Sequence, residues 1–139
     1  MNVGDRAARA DKNAPILLDA VVLECRDVAA LCDFYKRLLG WEEHFGDGKT
    51  WLDIISPGSG VKIAFQYNAL WQPPVWPQTP EEQQMTAHLD FAVQDAEHMK
   101  QAAARALELG AKLTAVQYGG GRWTTLTDPA GHPFCFVIW

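Results

Sequence analysis

Met85-Thr86-Ala87-His88-Leu89-Asp90-Phe91-Ala92-Val93-Gln94-Asp95 reads as a short strand running into a capped helix. It opens the second half of the chain and restarts a pattern used near the N-terminus. There, Ile16 to Cys25 is apolar and β-branched, is bounded by Pro15 and Arg26-Asp27, and predicts a mostly buried strand. Asp27 is placed to cap a helix in which Val28, Leu31, Phe34, Tyr35, Leu38 and Leu39 recur at helical spacing, and Gly40 sits where a C-terminal stop belongs. After the quoted stretch, Asp95 caps a helix to Leu109 with Ala96, Met99, Ala103 and Ala106 on one face, and Gly110 follows.

Three strands are predicted after each helix. They span Trp41 to Phe45, Thr50 to Ser56 and Val61 to Tyr67 in the first half, and Lys112 to Gln117, Trp123 to Thr127 and Pro133 to Ile138 in the second. The stretches between them, Gly46-Asp47-Gly48, Pro57-Gly58-Ser59-Gly60, Gly119-Gly120-Gly121 and Asp128-Pro129-Ala130-Gly131, are turn chemistry. The repeat holds residue by residue. Asp27 falls on Asp95 at an offset of 68, Gly40 on Gly110 at 70, Trp51 on Trp123 and Pro57 on Pro129 at 72, and Gln66 on Cys135 at 69. The chain is therefore α+β, written as βαβββ twice. Residues 15–139 make one domain: module one at 15–67, a proline- and tryptophan-rich linker at 68–85, and module two at 86–139. Residues 1–14 are expected to form a flexible arm.

At 139 residues, 48% of them hydrophobic, the chain suits a single core and has no room for two full-sized domains. A net charge of -5, from 17 acids against 12 bases with no basic cluster, argues against a nucleic-acid or anionic-membrane partner. Cys25, Cys32 and Cys135 are an odd set without C-x-x-C spacing, as expected of free buried thiols in a reducing compartment. No apolar run approaches the roughly 20 residues of a membrane span, and residues 1–13 have no signal-peptide core. The expectation is a cytoplasmic protein.

Asp27-Val28 through Phe34-Tyr35 to Leu39-Gly40-Trp41, then His88-Leu89-Asp90-Phe91, then Asp128-Pro129-Ala130-Gly131-His132-Pro133-Phe134 resemble the vicinal oxygen chelate superfamily. That superfamily includes glyoxalase I, extradiol dioxygenases, and bleomycin- and fosfomycin-resistance proteins. The wording at Trp76-Pro77 and Phe134-Cys135 is most similar to its glyoxalase-like branch. The resemblance implies two curled mixed sheets that enclose a cleft between the modules. In metal-dependent members it implies four ligands, one on the first and one on the last strand of each module. Carried over through the repeat, those positions are Ala20, Gln66, His88 and Cys135. Alanine ligates nothing, and one imidazole, one amide and one thiol are a poor set for a hard divalent ion. No metal and no other cofactor is therefore expected.

His88 is the candidate for chemistry, either as a cleft-facing group hydrogen-bonded to a neighbour such as Gln66 or as a general acid/base. Alternation places Asp90 on the same face, where a carboxylate would orient the imidazole. Trp51 and Trp123, equivalent in the two copies, are candidates for an aromatic cleft wall or for core packing, and Trp71 and Trp76 on the proline-stiffened linker border the cleft as a lid or an interface. His132 follows Gly131 in a turn and is read as serving turn geometry. Cys135, between apolar neighbours, is not read as a nucleophile.

The leading expectation is a metal-free glyoxalase-like protein that binds a small aromatic or apolar molecule in the cleft, with Gln66, His88, Asp90, Trp51, Trp123, Trp71 and Trp76 around it. One alternative is a lyase, isomerase or hydrolase using His88. The other is a drug-sequestering protein of the bleomycin-resistance type. The resemblance and the aromatic linker favour a homodimer.

Overall fold

The computed structural model describes residues 12–138. Most of the arm expected at 1–14 lies outside that span. In chain order the elements are β1 (Ala20–Cys25), α1 (Val28–Leu39), β2 (Glu42–Gly46), β3 (Trp51–Ile55), β4 (Lys62–Tyr67), β5 (Leu89–Val93), α2 (Ala96–Glu108), β6 (Lys112–Leu113), β7 (Trp123–Thr127) and β8 (Pro133–Ile138). They form two four-stranded sheets, ordered β1-β4-β3-β2 and β5-β8-β7-β6. In each sheet the first strand runs parallel to the last strand of its module and the other pairings are antiparallel. The structure is the duplicated βαβββ unit with mixed sheets.

Local chemistry explains the element ends. The Asp27 carboxylate accepts the Ala30 N–H and the Asp95 carboxylate accepts the His98 N–H, so both helices begin on a side-chain cap. Gly40 ends α1 in the left-handed region at φ 68°, with its N–H on the Lys36 carbonyl. Between β2 and β3, Asp47 accepts the backbone N–H groups of Lys49, Thr50 and Trp51, which fixes the turn and holds its carboxyl well below the usual range.

Two predicted strands lose four residues each. Ile16, Leu17 and Leu18 are exposed rather than buried, so β1 starts only at Ala20. The strand expected at Lys112 to Gln117 ends at Leu113 because a side chain replaces it. The Gln117 amide accepts the Thr125 N–H at 2.9 Å and donates to the Thr125 carbonyl at 2.8 Å, doing for β7 what a neighbouring backbone would do.

The strand register also corrects the repeat. The helix caps set β1 against β5 at an offset of 68, so Ala20 matches His88 and Val22 matches Asp90. Val22 pairs with Ala64 and Asp90 with Cys135, while Trp51 pairs with Gln66 and Trp123 with Val137. The counterpart of Cys135 is thus Ala64, and that of Gln66 is Val137. The second turn is one residue shorter, not three.

The core lies on the helix side of both sheets and is shared. Tyr35 of α1, fully buried, stacks on Phe65 of β4 at 5.7 Å and meets Phe134 of β8 and Phe91 of β5 at 6.1 and 6.2 Å. Its hydroxyl donates to Asp128 Oδ2 at 2.7 Å, across the boundary between modules. Burial, then the charge and hydrogen bond of Asp128, push the phenol well above its ordinary pKa. Asp128 also receives the backbone N–H groups of Ala130 and His132 and the His132 Nδ1. Trp71, from the linker, stacks on His132 at 4.3 Å and donates its indole N–H to the Ala130 carbonyl. Gly131 admits this packing, since a Cβ there would collide with Pro73.

Tyr35→Phe keeps the ring and removes the bond to Asp128. It should destabilise the fold by about 1.5–3 kcal/mol, the range for a hydrogen bond to a charged group, read as a lower urea midpoint at unchanged slope. A loss under about 0.5 kcal/mol, the scatter of neutral surface changes, would show that Asp128 is satisfied without it.

Candidate functional site

On the face of the second sheet away from the helices, β5 presents Asp90, β7 presents Trp123 and Thr125, and β8 presents Pro133, Cys135 and Val137. This follows from the alternation of each strand and the cross-strand pairs Asp90 with Cys135 and Cys135 with Thr125. His88, immediately before β5, continues that face. With Trp76 and Met85 of the linker and Tyr118 of the β6–β7 connection, these residues line a pocket of about 370 Å³, at the small end of ligand sites. Trp76 and Tyr118 meet at right angles, their rings 6.1 Å apart. Gly119 lets the connection lie close over β7, because a Cβ there would overlap the Trp123 carbonyl. The Trp76 indole N–H is buried with no acceptor among the described residues, a cost of about 1–3 kcal/mol that an acceptor reaching it would remove.

The polar groups sit together on the floor. His88 Nε2 lies 3.1 Å from Asp90 Oδ1, with both side chains partly exposed. The Cys135 thiol is 3.4 Å from Thr125 Oγ1. Burial raises the thiol pKa, the hydroxyl of Thr125 lowers it, and the nearby Asp90 carboxylate raises it again, for a net increase. The thiol is held protonated, and the imidazole is engaged with Asp90 through Nε2. A proton can be exchanged here, while a thiolate is disfavoured.

Of the residues expected from the sequence, His88, Asp90, Trp76 and Trp123 come together in this pocket. The other three lie elsewhere. Gln66 and Trp51 are neighbours on the first sheet, and Trp71 braces the Asp128 turn. Trp51 donates its indole N–H to the buried Asp53 at 2.9 Å, and His44 Nδ1 engages the same carboxylate at 2.9 Å. Among the described residues the pocket is walled by the second sheet and the linker, with no lining residue from the first sheet, rather than lying between the two modules. Met85, Tyr118, Thr125, Pro133 and Val137 were not foreseen as lining residues. Alternation from Trp123 and Cys135 would have found Thr125 and Val137, whereas Tyr118 lies in an irregular connection with no periodic signal.

A family model for a glyoxalase-like domain matches residues 20–137. The chain belongs to this glyoxalase-like family. Among solved structures, a glyoxalase/bleomycin resistance protein/dioxygenase family enzyme from Burkholderia phytofirmans PsJN superimposes with a TM-score of 0.67 at 17% identity, covering 87% of this chain and 97% of the other. A possible glyoxalase from Bacillus cereus gives 0.65 at 15%, covering 88% and 99%. The genomically encoded fosfomycin resistance protein FosX from Listeria monocytogenes gives 0.64 at 17%, covering 88% and 90%. These likenesses establish the shared fold. No curated protein sequence matches the chain significantly.

The glyoxalase-like fold raises the question of a metal, which the donor set answers. His88, Asp90 and Cys135 bring one ligand atom each to within 4.8 Å of one another. All three come from the second module, and their register counterparts, Ala20, Val22 and Ala64, carry no donor. Two of the three are already engaged with each other, and the third is a protonated thiol. This is not a set that fits a hard divalent ion held from both modules.

Burial likewise pushes the Cys25 and Cys32 thiols from 9.0 up to about 11. In the native protein at pH 8, none of the three thiols should react rapidly with a disulfide reagent, and all three should titrate in denaturant. A single fast thiol that disappears in Cys135→Ser would show instead that the pocket activates its thiolate.

Proposed function

We propose that the protein binds a small, partly aromatic or apolar organic molecule in the pocket on its second sheet, without a divalent metal at the family's position. The observation that carries this reading is the pocket's make-up: three aromatic side chains over a floor whose donors all belong to one module. Aromatic walls provide large contact area at small entropic cost, so a ligand can be held there with no catalyst or ion.

A second reading is favoured by the His88–Asp90 pair. A carboxylate that orients an imidazole is the arrangement a general acid/base needs, and it would serve a lyase or isomerase acting on a bound carbonyl compound. The two readings separate at His88. In the binding reading, His88→Ala weakens the ligand modestly. In the catalytic reading it leaves affinity nearly intact and abolishes turnover.

Screening organic molecules by tryptophan fluorescence should find ligands that quench the protein, and Trp123→Ala should weaken them at least tenfold, about 1.4 kcal/mol. Protein purified without chelators should hold only substoichiometric zinc, nickel or manganese. One zinc per chain, lost in Cys135→Ser or His88→Ala, would overturn the metal-free reading.

The homodimer draws support from Ile16, Leu17 and Leu18, 101%, 77% and 69% exposed, which lead into β1 and its exposed Val22. Light scattering should give twice the chain mass, and replacing all three by serine should give the monomer. A monomeric wild-type protein would refute the assembly.

A further inference from the structure

We infer that the molecule this pocket takes is an organic cation, an alkylammonium or a protonated amine, seated among Trp76, Tyr118 and Trp123 with Asp90 as its counter-charge. The inference rests on the pocket reading above and adds the sign of the ligand's charge.

Three observations converge on it. The first is the shape of the aromatic wall. Trp76 and Tyr118 stand perpendicular, 6.1 Å apart, and Trp123 lines the same space from β7. Aromatic faces carry negative potential, and boxes of such rings are suited to quaternary and protonated nitrogen.

The second is the charge inventory. Among the described residues the lining contains one carboxylate, Asp90, and no lysine or arginine. Its one basic side chain, His88, is spent on that carboxylate when protonated and leaves it uncompensated when neutral. The site is thus neutral or negative in either state of His88. An anion finds no positive side chain to meet it beyond an imidazole already engaged by Asp90.

The third is the contrast with the equivalent place in module one. There the tryptophan matching Trp123 is Trp51, and it turns its indole N–H to Asp53, a carboxylate 4% exposed and also engaged by His44. In module two, Thr125 stands where Asp53 does, so a hydroxyl replaces the carboxylate beside Trp123, a residue 38% exposed. The acid has moved across the sheet to Asp90, where half its side chain remains open. One module buries its carboxylate beneath an indole, and the other keeps both accessible.

The test uses the full chain and two isosteres, phenyltrimethylammonium and tert-butylbenzene, which differ only in the charged nitrogen. Binding is read by tryptophan fluorescence and confirmed by calorimetry. The cation should bind at least tenfold more tightly than the hydrocarbon. Asp90→Asn, a change at a half-exposed side chain, should cut that preference at least threefold, read as the ratio of the two affinities in the same variant. If the hydrocarbon binds as tightly as the cation, or Asp90→Asn leaves the preference in place, the cation inference fails and the apolar-pocket reading stands. If neither molecule perturbs the tryptophans up to millimolar concentration, both are overturned. The wild-type comparison decides the matter even if a variant fails to fold.

Discussion

The buried carboxylate of Asp128 is the constraint on which the rest of the structure depends. At 3% exposure it would be costly to ionise unless each oxygen were engaged, and its partners come from both modules. Tyr35 reaches it from α1, and the N–H groups of Ala130 and His132 and the His132 ring reach it from its own turn. Sliding one module against the other would orphan the charge, so the relative placement of the sheets is set by a polar contact inside an otherwise apolar core. The linker is tied to the same point through Trp71 on His132. Because Trp71 is anchored there, the chain from residue 72 to 85 starts its path from a fixed place and delivers Trp76 and Met85 to the open face of the second sheet. The pocket is a consequence of how the linker is held.

The two modules share a scaffold and differ on the face away from the helices. Aspartate helix N-caps, glycine-bearing turns and strand order are common to both. Yet the positions of His88, Asp90, Thr125 and Cys135 are taken in module one by Ala20, Val22, Asp53 and Ala64. Replacing imidazole, carboxylate and thiol by small apolar groups leaves these positions of the first sheet with one acid, Asp53, whose partners His44 and Trp51 already engage it. The imidazole, carboxylate and thiol of that face are concentrated in the second module.

Much of this was legible in the sequence where short-range physics decides. Asp27 and Asp95 cap their helices, Gly40 ends α1, β7 and β8 have the expected limits, and Asp90 lies beside His88 as strand alternation requires. The failures share a cause. The sequence repeat sets Gln66 against Cys135, two residues from the true counterpart Ala64, and a slip of two keeps every side chain on its own face, so alternation has no power to detect it. The pairings of Val22 with Ala64 and Asp90 with Cys135, and of Trp51 with Gln66 and Trp123 with Val137, reveal it. The early end of β6 depends on a side-chain amide standing in for a strand, and the exposure of Ile16 to Leu18 depends on what lies beside them. Neither is a property of local pattern. Tyr118 and Trp76 enter the pocket through connections without periodicity, which is why the aromatic wall was only half foreseen.

The chemistry of the floor follows from the apolar counterparts in the first module. A divalent ion held from both modules would gather Asp90 and His88 as ligands and neutralise the acid. Without donors at Ala20, Val22 and Ala64, that role lapses, and Asp90 is left with His88 to balance it. Its field is felt by Cys135, whose thiol it helps keep protonated. A protonated thiol, a carboxylate and an imidazole beneath aromatic rings constitute a site poor in nucleophiles and short of positive charge.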